Sequence, residues 1–548
     1  MKKGFVLLSL VLVFVFALSA CQPAEAPAEE APAAESTEAP TEPVVQKGGT
    51  LNLVEAAIVQ FDPPFINDDA SFHVASLVHV FLFRVAQDSE GNETTIPELA
   101  SSWELQEDGK VVIFHLNKGW TFHDGNDIFA EGEGREITAE DVAYSIDRMV
   151  NIEGSSISVD LLNTFVSVEA VDPYTVKLTL SQPDAILFAS GRGLSSAAIL
   201  PKEAVDARGD TWGLNPIGGG PFEFVEYVAD DHVTLRKNED YVYEPNLDEV
   251  VFKIIPDEAT QLISLEAGDI HHMFLPAAEF ARFQDNPDYK IYPGNCPYSY
   301  HIQFDQKNPL LQDVKVREAI SRAVDGTAIM RNEFGGMYVE GCGIAGPGVA
   351  GYDPTLCELY AFDTAKTDQL MTEAGWAKNA DGIWEKDGTP LVLDFEVWNL
   401  TPAPSLATAA TTQLEQAGFD INMMEVEFGT WIEDAMGADT QKPLMMWSGF
   451  CGEGGLNSFY GSTGMAPAWG FANQEVFDLL DSANTIVDKD ERQATLQSAT
   501  RKIYEDYSDI PMGFAVGYEI TSSKVNDWSI TMWWLKVVTS VNNVWLSQ

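Results

Sequence analysis

Positive charge is scarce in this sequence. Lys and Arg number 32 against 84 Asp and Glu, a net charge of −52. A nucleic-acid binder needs a basic footprint to neutralise phosphates, so that class is excluded. Direct electrostatic adhesion to anionic lipid is disfavoured for the same reason. Such a field weakly steers cationic or zwitterionic ligands toward the protein; most of it reads as a solvated surface. Catalytic signatures are also missing. There is no G-x-x-x-x-G-K-[ST] loop, no H-E-x-x-H and no G-x-S-x-G elbow. The glycines at 218–220 are not followed by Lys-Ser/Thr, and read as a place where backbone packs closely. Only eight histidines are present, without metal-ligand spacing. His271 and His272 are adjacent, and on one helix their side chains would point apart. His115 and His123 flank a turn and read as structural. Acid pairs such as Asp68 and Asp69 are too common here to signal catalysis. No enzyme activity, cofactor or metal is expected.

Long apolar runs are absent after the amino terminus. The one at the start, Phe5 to Leu18, follows Lys2 and Lys3 and is shorter than the ~20 residues of a membrane span. It has the layout of a secretory signal over 1–20. Leu18-Ser19-Ala20-Cys21 resembles a bacterial lipobox, which makes Cys21 the lipidated first residue of the mature chain. Residues 22–46 contain no aromatic residue and no base, only Ala, Pro, Glu, Thr and little else. Such a stretch cannot bury enough apolar surface to offset its ordering entropy. Residues 21–46 are therefore expected to form a disordered, extended tether.

Setting Cys21 aside leaves Cys296, Cys342, Cys357 and Cys451. An even count in an exported chain suggests two disulfides, with three possible pairings. Cys342 and Cys357 enclose a short loop, which leaves Cys296 with Cys451; the alternative is four buried thiols.

The remaining ~500 residues are too many for one core at ~100–200 residues per domain. Strand, hairpin and helix patterns alternate along them, which indicates α/β lobes with partly parallel sheets. A helix is expected over 71–84, where apolar residues recur at helical spacing. Strands are expected on either side of Glu107-Asp108-Gly109, a turn with the Asp-Gly hairpin signature. Thr138 and Asp141 open a helix over 138–150 as a near capping box. Further helices are expected at 259–270, closed by Gly268, and over 313–330. Two more run from Asp363 to Gly375 and from 401 to Gly418.

Five ordered stretches then carry a resemblance. ELASSWELQEDGKVVIFHLNKGWTFHDG with ITAEDVAYSIDRM, NPIGGGPFEFVEY, DVKVREAISRAVDGTAIM and FDTAKTDQLMTEAGW resemble the motifs of extracellular solute-binding proteins of the peptide/nickel class, family 5. The similarity runs from about residue 48 to about 515. It implies a two-lobed, periplasmic-binding-protein-like fold of type II, cluster C, with an extra inserted subdomain. Lobe I would comprise 47–90, 212–297 and 510–548, the inserted subdomain 91–211, and lobe II 298–509. A small ligand, expected to be a peptide, would be held between the lobes and delivered to an ABC permease. The resemblance thus implies an extracytoplasmic monomer that touches the membrane only through its lipid.

Ser448-Gly449-Phe450-Cys451-Gly452-Glu453 resembles the family loop whose aspartate pairs with a peptide α-ammonium. In those relatives the loop cysteine is bridged to one placed as Cys296 is here, which supports a Cys296–Cys451 bond. Glu453 takes the aspartate's place, one methylene longer, and Phe450 stands where tryptophan is usual. With them Trp447 and Gly452 become ligand-contact candidates. FDPPFINDD resembles the family's Leu-Asp-Pro loop at the cleft mouth, which adds Asn67, Asp68 and Asp69. Phe428 and Trp431 fall in the segment lining the opposite wall. Other ligands are an oligosaccharide stacked on tryptophan and, third, a metal complex; a secreted hydrolase is the remote alternative.

Overall fold

A computed structural model of the protein describes residues 45–66, 68–87, 93–155, 164–188, 193–294, 298–437, 441–449, 455–529 and 543–547. The expected signal, lipid attachment at Cys21 and tether lie outside the described residues, as do Cys296 and Cys451.

Thr50–Glu55 runs parallel to Glu249–Ile254 and is followed across the sheet by His232–Lys237 and Phe222–Val228, both antiparallel. Alternation along these strands buries Leu51, Leu53, Val233, Leu235, Val250 and Phe252 in one core. A second four-stranded sheet is ordered Ala100–Gln106, Val111–Leu116, Thr175–Leu180, Phe165–Asp172. The helix Ala139–Asn151 packs on it and opens with the expected capping box between Thr138 and Asp141. The hairpin turn at Glu107–Gly109 is present, with all three residues at positive φ.

The largest core surrounds a six-stranded sheet. Its order is Tyr338–Val339, Asp509–Ala515, Tyr298–Phe304, Leu444–Gly449, Val392–Trp398, Asp420–Val426. The last three strands are mutually parallel, and the helix Ala403–Gln416 makes the crossover from Val392–Trp398 to Asp420–Val426. The fold is thus mixed α/β and two-lobed. The chain passes twice between the six-stranded sheet and a three-stranded one ordered His272–Leu275, Tyr518–Ser522, Tyr289–Pro293. These passages lie side by side. Gly294 N–H donates to the Gly517 carbonyl at 2.7 Å, and a Cβ on Gly294 would sit 2.6 Å from that oxygen. The second passage is at 516–517, a few residues beyond the 509/510 division expected from sequence, because Asp509–Ala515 pairs with Tyr298–Phe304.

Three local expectations are corrected. The helix expected over 71–84 ends at Val78, and Val80–Phe81 and Phe83–Gln87 are strands. Residues 74–85 are all buried, so burial on every side hides the period that separates helix from strand. The helix expected over 313–330 is two, Val314–Arg322 and Gly326–Phe334. Asp325 caps the second through Ala328 N–H, and Gly326 lies where a Cβ would be 2.6 Å from Met512 Cα. Finally, His271 and His272 are not helical. The helix Glu258–Ala267 stops at Gly268, His271 Nδ1 accepts from Asn52 N–H at 2.9 Å, and His272 begins a strand.

The glycines at 218–220 pack as close backbone demands. Cβ atoms at 218 and 220 would sit 1.9 Å from the Val78 carbonyl oxygen and 2.5 Å from that of Leu77. His123, expected to be structural, is buried and bonds the Gly220 carbonyl through Nε2 at 2.9 Å.

Cys342 and Cys357 are disulfide-bonded, closing a loop of sequence separation 15. Breaking so short a loop should cost about 3 kcal/mol in the chain-entropy model. Cys342→Ser is therefore expected to lower the urea midpoint, and reductant should lower the midpoint of the wild type by more than that of the variant.

Candidate ligand-binding site

In open α/β sheets, ligands bind beyond the carboxyl ends of parallel strands. Three such ends meet on the six-stranded sheet, at Trp398, Val426 and Gly449. The expected contacts Phe428 and Trp431 follow the second, on the helix Phe428–Met436. Phe450, Gly452 and Glu453 follow the third and lie outside the described residues, as does Asn67.

An aromatic tier lies under these strand ends. Phe428 stacks on Trp431 at 5.9 Å and 13°. Trp431 meets Trp398 at 4.9 Å and Trp447 at 4.8 Å edge to face. Trp447 meets Phe459 at 5.2 Å. Phe428 is 41% exposed, whereas Trp431 and Trp447 are 3% and 4% exposed. Both tryptophans are packed among other rings and form the floor on which Phe428 stands.

Two buried acids brace the same wall from below. Glu396, 1% exposed, lies under the helix Phe428–Met436 beside Asp434, which is 3.9 Å from Lys442. Burial first, and the neighbouring Asp434 charge second, push the Glu396 carboxyl up to about 7. Asp509 accepts the Tyr460 hydroxyl at 2.5 Å and the Tyr504 hydroxyl at 3.4 Å. Burial pushes its carboxyl up to about 7 as well, against the opposing pull of both hydroxyls. Tyr460 ends the helix Gly455–Tyr460, which begins directly after residues 450–454.

The facing wall starts at the carboxyl end of Thr50–Glu55. A cavity of about 350 Å³ is lined by Glu55, Asp68, Asp69, His73 and Phe274, among others. Asp68 caps the helix Asp69–Val78 by accepting Ser71 N–H at 2.8 Å, and Asp69 lies in its first turn. Glu55 and His73 pair at 2.7 Å, 12% and 2% exposed. Burial raises the Tyr298 hydroxyl pKa well above its ordinary value, and the Asp69 charge adds to the shift. Asp68 and Asp69 were expected; Glu55, His73 and Phe274 were not. The available signal for Glu55 was its place at the end of a predicted strand in an α/β lobe.

Behind the FDPPF loop, Arg148 of the helix Ala139–Asn151 grips Asp62 with two hydrogen bonds of 2.8 and 2.7 Å. Phe61 N–H donates to the Gly213 carbonyl at 2.7 Å. The loop at the mouth of the site is thus held by residues far along the chain.

Among the described residues no group of three His, Cys, Asp or Glu could hold a metal, and no helix is long and apolar enough to cross a membrane.

Residues 94–467 match the family model of bacterial extracellular solute-binding proteins, family 5 Middle. The chain is 29% identical over 416 residues to the dipeptide-binding protein of Escherichia coli, covering 72% of this chain and 74% of that one. It is 26% identical over 488 residues to heme-binding protein A of Haemophilus influenzae, covering 85% and 87%. Its fold matches that of the periplasmic binding protein DppA from Helicobacter pylori, solved in complex with the peptide STSA. The TM-score is 0.72 at 22% identity, over 92% of this chain and 99% of that one. With more than half of its length matched in sequence and nearly all of it in fold, the chain belongs to the bacterial extracellular solute-binding proteins, family 5.

Proposed function

We propose that this protein is the substrate-binding lipoprotein of an ABC importer. It captures a dipeptide or oligopeptide between its lobes and passes it unaltered to the permease. The observation that carries this reading is the pair of walls, one acidic at the end of Thr50–Glu55 and one aromatic at strand ends of the six-stranded sheet, on two bodies between which the described chain passes twice. Two bodies joined in this way close on a ligand by hinge motion. Family membership and the peptide-binding relatives support the same reading. Cys21 carries the lipid that holds the body outside the membrane, and the working unit is a monomer without catalytic activity.

In this reading Glu453 accepts charge-assisted hydrogen bonds from the ligand's ammonium group, with Gly452 and Phe450 beside it. Asn67, Asp68 and Asp69 face the ligand from the other wall. Glu453→Ala should weaken tri-alanine binding by about 2 kcal/mol or more, as expected when one partner of a buried charge pair is removed. Isothermal calorimetry checks this, and unchanged affinity would remove Glu453 from the site.

The exposed Phe428 on its aromatic floor favours a second reading within the family, a ligand with a flat face such as an oligosaccharide. A thermal-shift screen of peptides against cello- and manno-oligosaccharides separates the two, since the bound ligand raises the melting temperature. Native mass spectrometry of the purified protein would identify a ligand carried through purification.

A further inference from the structure

A second meeting of the two lobes lies among residues that the site does not use. The sheet Ala100–Gln106, Val111–Leu116, Thr175–Leu180, Phe165–Asp172 has its own apolar core, against which Trp103 and Phe188 pack. The helices Gln474–Ala483 and Lys489–Glu505 belong to the core of the six-stranded sheet, through Val476, Leu480, Leu496 and Ile503. Among the described residues the two bodies meet on these elements around Ala185 and Asn484. Ala185 N–H donates to the Asn484 carbonyl at 2.8 Å. A Cβ on Gly109, in the hairpin turn, would lie 3.2 Å from Pro183 and 3.5 Å from Val487. Gly109 is at φ +88°, so this turn is built to let the segments come together without a side chain between them.

The contact is not packed like a core. Beside it lies a cavity of about 260 Å³, walled by Trp103 and Phe188 on one body and by Val487, Lys489 and Arg492 on the other. The Trp103 and Phe188 rings stack at 5.5 Å. Val487 remains 48% exposed. Among the described residues, the main-chain hydrogen bond from Ala185 to Asn484 and a partly exposed apolar edge, bordered by Asp184, Lys489 and Arg492, join the two bodies here.

We propose that this contact is a closing latch: the hairpin turn at Glu107–Gly109 and the loop 181–188 engage Asn484 and Val487 of the other lobe, and so set the balance between open and closed forms. The inference rests on the two-lobed, hinge-closing reading, but not on the ligand being a peptide. When only the closed form holds ligand, the apparent affinity scales with the closed fraction. The latch therefore tunes affinity from outside the ligand site.

Val487→Glu places a charge against Pro183 and Gly109 at a half-exposed position, and Ala185→Pro removes the donated N–H. Both are made in the full chain, with melting temperature confirming that each is folded. Small-angle scattering of the ligand-free protein is expected to show a larger radius of gyration in both variants. Calorimetry with tri-alanine is expected to show a Kd raised about fivefold or more. Wild-type scattering and wild-type Kd in both variants overturn the latch. Failure of tri-alanine to bind even the wild type counts against the peptide reading alone, and the scattering comparison then decides the latch.

Discussion

Arg148→Ala is expected to lower the stability of the protein by about 3–5 kcal/mol, the usual cost of stripping one partner from a buried ion pair. The pair is bidentate, and Arg148 and Asp62 are 12% and 8% exposed. Its Coulomb attraction is set against the desolvation of both groups, and the substitution removes the attraction and the arginine's share of that cost but leaves the desolvation of Asp62 uncompensated. Asp62 would then stay behind as a charge among Phe61, Pro63 and Pro64, all of them buried. Urea unfolding measures the loss. The double variant Asp62→Leu with Arg148→Met, which removes both charges, should recover much of it. A loss below about 1 kcal/mol in the single variant would mean that water reaches the pair as it does at a surface. Because the pair holds the loop beside the acidic wall, Arg148→Ala should also weaken ligand binding at temperatures where the protein is still folded.

Asp509→Asn should change how stability depends on pH. In the folded protein burial holds the Asp509 carboxyl at about 7, above the ~3.9 of an unfolded chain. Between about pH 4 and pH 7 the folded state therefore keeps a proton that the unfolded state has lost. Stability contributed by this group is full below pH 4 and falls as pH rises through the window. At ~1.4 kcal/mol per pKa unit, the whole decline amounts to at most about 4 kcal/mol. Asparagine cannot ionise, so the variant should gain on the wild type from pH 4 to about pH 7 and level off above it. Its amide oxygen can still accept from Tyr460, while its NH₂ would replace an Asp509 oxygen that has no hydrogen-bond partner. Glu396 is shifted the same way, so part of the wild-type slope should persist in the variant. Parallel stability curves for the two proteins would rule out Asp509 as a titrating group. Both acids brace elements of the aromatic wall, so ligand affinity should weaken in the same pH direction.

Much of the fold was legible in the sequence because its signals are local. The capping box at Thr138 and Asp141, the turn at Glu107–Gly109 and the helix between Asp363 and Gly375 depend on residues within a few positions of one another. The site was legible only in part. The family-like motifs pointed to residues at and after the strand ends of the six-stranded sheet, Trp431 and Trp447 among them. A tryptophan beside a strand end reads the same whether its ring faces a cleft or a core, and only the packing of Trp398, Phe459 and Trp469 around them decides.

By itself the sequence determined the family, the lobed α/β class, the acidic character and the bond between Cys342 and Cys357. Motif order, net charge and short loop length are properties of the chain itself and survive any arrangement in space. Only the tertiary structure decided where the helix after Asp69 stops and that the helix beginning at Val314 breaks before Gly326. It alone joined Arg148 to Asp62, raised the acids at 396 and 509, and brought Ala185 to Asn484. Each of these turns on burial or on a partner distant in the chain, and neither is encoded in the spacing of neighbouring residues.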